Sequence, residues 1–182
     1  MKKIVLTYGL ISGAILAAVM FATMPFANRV GFDKGMIIGF SSMIVAFLLV
    51  FFGIRSYRET VGNGEISFLR ALAVGSLIML VGCLCYVLAW EIIYFTFLPD
   101  FFEKYTAYLL ASMKSSGASS EAIEAQRQAL EIIGRRYHNP LWLAAYTLLE
   151  PTPICIPITL ISAVILRRKP KSLNQAPQLA SN

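Results

Sequence analysis

The sequence predicts an all-α polytopic membrane protein, with four transmembrane helices and an amphipathic helical hairpin between the third and fourth. Three observations carry this prediction. Hydrophobic residues make up 57% of the 182 positions and charged residues only 14%, with mean hydropathy +0.67, far outside soluble usage. Four apolar stretches each reach the roughly 20 residues that cover a ~30 Å hydrocarbon layer. The formal charge of +6 is gathered beside those stretches, where the positive-inside rule puts it, and on no polar helix that could follow phosphates. Nucleic acid is therefore excluded as a partner; membrane lipids are the surroundings, and a second folded domain will not fit.

The first span is expected over about 4–26, after Lys2-Lys3 and up to Pro25. A signal peptide starts similarly, but the apolar core is too long and Pro25 sits poorly for cleavage after Ala27, so a retained helix is expected. Gly9 and Gly13 form a small-xxx-small pair that lets another helix approach closely. The second span is expected over about 35–54. Gly31, Gly35 and Gly39 recur every fourth residue, baring one face; the same principle assigns that face to helix packing, with a ligand groove as the minor alternative.

Arg55 to Arg58 leads into Gly62-Asn63-Gly64, whose Asn-Gly step tolerates positive φ and reverses the chain. Ser67 is placed to cap the third span, about 68–97. Trp90, Tyr94 and Phe97 near its end look like an aromatic interfacial belt. The segment of about 99–138 is polar and charge-balanced. Asp100 with Glu103 suggests a capping box, and Phe102, Tyr105, Leu109 and Met113 follow at helical spacing. A second helix starts near Ser119, with Ile123, Leu130, Ile133 and Tyr137 on one side. The last span, about 141–166, follows Asn139-Pro140 and stops at Arg167-Arg168-Lys169. Residues 1–169 thus read as one transmembrane domain and 170–182 as a disordered cytoplasmic tail. Four crossings put both termini on the cytoplasmic side with the basic loops, and the hairpin outside.

Two acids fall inside the spans, Glu91 and Glu150. An ionised carboxylate in hydrocarbon costs several kcal/mol, so such a group is neutral, paired or facing water. Counting helical rise from Trp142 places Glu150 roughly 12 Å deep, while Glu91 lies about one turn from Tyr94. Pro151, Pro153 and Pro157 free the carbonyls of Thr147, Leu149 and Pro153, which need partners and so turn this face inward. Glu150 is expected to be protonated at rest, donating to one of these carbonyls or to Thr152. A kink that merely shapes packing is the bland alternative.

Other chemistry is missing. His138 is the only histidine, no HExxH, GxSxG or P-loop pattern occurs, and Cys83 and Cys85 point to different helix faces. No catalytic residue, metal or cofactor is expected.

Three pieces together resemble a known family: Phe52-Gly-Ile-Arg-Ser-Tyr-Arg58 with Ile66-Ser-Phe68, Pro99-Asp-Phe-Phe-Glu-Lys-Tyr105 running to Ser116-Gly117, and Asn139-Pro140 with Glu150-Pro-Thr-Pro153 and the Arg-Arg-Lys ending. The combination is similar to the bacterial proteins grouped as domain-of-unknown-function family 4199 and covers nearly the whole chain up to Lys169. The resemblance implies four spans with a helical insertion before the last, in a bacterial inner membrane, and carries over no activity. The expected role is a non-enzymatic structural or partner-binding membrane component that associates with itself or with other envelope proteins. Its rival is a small oligomeric cation- or proton-coupled transporter using Glu150.

Overall fold

The computed structural model of the chain describes residues 1–24 and 31–168. Among them are seven helices and no strand: α1 Lys2–Thr23, α2 Phe32–Thr60, α3 Phe68–Phe97, α4 Phe101–Ser115, α5 Ser120–Tyr137, α6 Pro140–Leu149 and α7 Thr152–Leu166. α1, α2 and α3 are each long and apolar enough to cross a membrane, and α6 with α7, bent by 47° at the break, makes a fourth crossing if the pair is one span. The molecule is an all-α polytopic membrane protein. The tail expected to be disordered, 170–182, and the residues around Pro25 lie outside the described residues.

Lipid is as apolar as leucine, so burying Phe47 or Ile78 gains little transfer energy here and close packing must hold the helices together. The α1–α3 seam shows how. A Cβ added at Gly13 would fall 2.3 Å from the Cβ of Cys85, and one at Gly9 would fall 2.6 Å from that of Val81, so α1 meets α3 nearly backbone to side chain. Across the α1–α2 seam the buried Ser12 hydroxyl donates to the Ala46 carbonyl at 3.0 Å. Ala46, Phe47, Val50, Ile54, Val74 and Ile78 are fully buried where α2 and α3 pack together. Large apolar residues on the outward faces, such as Leu88 and Ile161, are exposed, as lipid-facing positions should be.

The α2–α3 loop turns through Asn63 at φ +50° and Gly64 at φ +88°, and Ser67 accepts from the Arg70 amide at 3.3 Å. Ile66 then pairs with Arg168 in an isolated antiparallel bridge, its N–H donating at 3.2 Å and its carbonyl accepting at 2.9 Å. Arg58 adds a long donation to the Leu166 carbonyl, 3.5 Å. These bonds tie the second connection to the exit of the last span.

At the opposite end α4 and α5 fold on each other and α5 on α6. Ser119 caps α5 by accepting from Ala122, and Asn139 caps α6 by accepting from Leu141. Asp100 is the N-cap residue of α4 but makes no side-chain cap bond; its carboxylate pairs with Lys104 at 2.7 Å instead of completing a capping box. Phe32 of α2 packs edge-on against Phe101 and Tyr105, and the Tyr108 hydroxyl donates to Asp33. The hairpin therefore rests on the mouth of the bundle. This position corrects the belt expectation: Trp90 is 6% and Tyr94 1% exposed, because the hairpin covers them, and only Phe97 of the three faces outward.

Candidate functional site

Beneath the hairpin lies a cavity of about 450 Å³, bounded by the ends of α1, α2 and α3, by α4 and α5, and by α6. Each wall follows from a local pattern. On α3, Tyr86 and Trp90 are four residues apart and so share one inward face. At the start of α2, Gly31 as its N-cap and Gly35 and Gly39 within it recur at the same interval and present no side chain between the lining residues Phe32, Met36, Phe40 and Met43. On α6, Tyr146, Thr147 and Glu150 follow at spacings of one and three.

Glu150 ends α6 at the helix break and turns its carboxylate into the cavity, where the Tyr86 hydroxyl donates to Oε2 at 2.7 Å. This partner differs from the expected ones. The Thr152 hydroxyl donates to the Leu148 carbonyl at 3.2 Å, and no hydrogen bond joins it to Glu150 among the described residues. Above the carboxylate, Trp90 Nε1 donates to the Tyr137 hydroxyl at 3.3 Å, and the Tyr137 ring stacks on Phe102 with centroids 4.6 Å apart. Burial pushes the Tyr137 phenol up to about 12, against a smaller opposite pull from the Trp90 N–H.

The remaining sequence candidates distribute as follows. Gly9 and Gly13 sit in the α1–α3 seam. Gly31, Gly35 and Gly39 border the cavity, and among the described residues a Cβ at any of them would meet nothing within 4 Å. Pro151 is buried, but Pro153 and Pro157 are exposed on the outer side, since two and six residues of helix carry them round to it. Of the three prolines only Pro151 thus turns inward, with Thr147, Cys155 and Thr159, while Glu150 is exposed and opens onto the cavity. Glu91 is half-buried on α3, does not border the cavity, and makes no hydrogen bond or ion pair with Glu150 among the described residues.

Chemically, the site is a mostly apolar chamber with one carboxylate and several aromatic hydroxyls and rings. Its volume falls in the roughly 300–1,000 Å³ of small-molecule sites. Among the described residues no group of three metal-ligating side chains occurs, and no lysine, arginine or histidine borders the chamber. A family model described as Protein of unknown function (DUF4199) matches residues 7–168. The chain belongs to this family. No curated protein and no solved structure matches it. In this DUF4199 protein the match takes in every residue of the chamber described above.

Sequence reasoning missed Tyr86, Tyr137 and Tyr146. A usable signal was present: Tyr86, Trp90 and Tyr94 recur at intervals of four with polar tips on one face, deeper into the span than a belt requires.

Proposed function

We propose that this protein is a non-enzymatic component of the bacterial inner membrane, with both termini cytoplasmic, that works by binding a ligand or partner group in the chamber beneath its extracytoplasmic hairpin. One observation carries the reading: Gly35 and Gly39 of α2, where an added Cβ would meet nothing within 4 Å, border the same open volume as Glu150, the only carboxylate lining it among the described residues, where a membrane bundle ordinarily packs. An unfilled space of this size forfeits dispersion contacts along its whole lining. Its retention makes sense where something occupies it.

The test is native mass spectrometry of the protein released from nanodiscs after exposure to a membrane extract. Gly39→Leu should fill the chamber without disturbing the fold, since nothing lies within 4 Å of that position. A bound mass retained by the wild type and lost in Gly39→Leu supports the reading. Equal retention by both, or no retention by the wild type, removes it.

Coupled transport is the second reading, favoured by the placement of Glu150 at a helix break facing the chamber. It requires an oligomer and predicts that Glu150→Gln abolishes pH-dependent flux in reconstituted vesicles while the protein still folds.

A further inference from the structure

The electrostatics of the chamber select the charge of its ligand. Nine of its bordering residues are aromatic, including Phe32, Phe40, Tyr86, Trp90, Phe101 and Tyr146 on five different helices. Aromatic faces carry negative quadrupole density and attract cations, most strongly when solvent is thin. Among the described residues the one carboxylic acid bordering the space is Glu150, whose Oε2 accepts from Tyr86. Oε1 has no hydrogen-bond partner among the described residues. No basic side chain borders the space among those residues. Met20, Met24, Met36 and Met43 supply adaptable apolar surface for a bulky body.

We propose that the chamber binds lipophilic organic monocations, an ammonium- or phosphonium-type charge set between Glu150 and the aromatic walls with its apolar substituents against the methionines. The assignment rests on the binding reading above and adds to it the class of ligand. A compact inorganic cation fits less well. The site offers one carboxylate and few other oxygens, whereas a hard metal ion wants six or more oxygen ligands.

The test uses full-length protein in nanodiscs and two probes of matched size, tetraphenylphosphonium and tetraphenylborate, titrated against the background of empty nanodiscs. Saturable binding of tetraphenylphosphonium with none of tetraphenylborate is expected. Glu150→Gln should weaken it by at least about tenfold, the minimum expected from losing one ion pair at an effective dielectric constant near 20. Glu91→Gln, outside the chamber, should leave it unchanged. Trp90→Leu strips one ring, should weaken binding severalfold, and serves where Glu150→Gln does not fold, folding being checked by circular dichroism and elution volume. Tetraphenylborate binding as well as the phosphonium, or undiminished phosphonium binding in Glu150→Gln, overturns the cation assignment. If either probe is still displaced by Gly39→Leu in that case, the binding reading survives alone. If neither probe binds saturably, or Gly39→Leu displaces neither, both fall.

Discussion

Tyr86 and Glu150, 64 positions apart in sequence, are joined by a 2.7 Å hydrogen bond that ties the middle of the third span to the break in the fourth. A tyrosine offers the carboxylate one directed donor without adding charge. The donor is held in place because Tyr86 is itself buried in the α3 face.

Tyr86→Phe should therefore destabilise the protein by about 1 kcal/mol. This is the usual net contribution of one intramolecular hydrogen bond. Glu150→Gln keeps an acceptor for the same hydroxyl and should cost less. Thermal unfolding in one detergent, followed by circular dichroism, ranks the two; the reverse order would show that the bond contributes nothing and that the charge itself stabilises.

The glycines should divide into two classes. Gly9→Ala and Gly13→Ala force a methyl against Val81 and Cys85 and should each cost about 1–3 kcal/mol, the usual range for overpacking. Gly35→Ala and Gly39→Ala meet open space and should leave the melting temperature unchanged or raised, since alanine favours helix over glycine by about 1 kcal/mol in water. Equal losses at all four positions would mean that a second copy or another helix covers the α2 face in the membrane.

Tyr137 makes the hairpin sensitive to high pH. A free phenol ionises near 10, whereas burial holds Tyr137 neutral up to about 12. A raised pKa means that the folded state favours the neutral form. The stabilisation is thus fully present below pH 10 and is lost as pH rises through 12. Late absorbance at the tyrosinate band should fall by one tyrosine's amplitude in Tyr137→Phe, with loosening of the hairpin near pH 12 in the wild type. A Tyr137 titration near 10 would place the ring outside the hairpin packing.

Sidedness follows from the basic loops. Accessibility labelling of single cysteines should put Lys114 on one side of the membrane and Asn63 on the other. Finding both in one compartment would break the four-crossing arrangement.

The helices were legible because hydropathy and spacing alone decide them. Ser67, Ser119, Asn139 and the Asn63-Gly64 turn act locally, and each does in the structure what its neighbours in sequence require. The chamber was not legible, because the spacing of Gly31, Gly35 and Gly39 is the same for a packed seam as for an empty wall. What separates the two is whether a facing element supplies side chains, and that depends on α6 and the hairpin, more than sixty residues away. Trp90 and Tyr94 misled for a related reason: an aromatic near the end of a span looks interfacial until another segment is laid over it.

The bridge between Ile66 and Arg168 makes the bundle mechanically lopsided. Its base is stitched by two backbone hydrogen bonds and the Arg58 donation, while at the top the ten-residue α6 joins the rest of its crossing through Glu150, Pro151 and the Thr152 hydroxyl on the Leu148 carbonyl. A rod of that length, about 15 Å, sweeps its tip by roughly 2.5 Å for a tilt of about 10°. Any change in room around the carboxylate is thus geared to a small rotation at the proline, with the sealed floor as its fixed point.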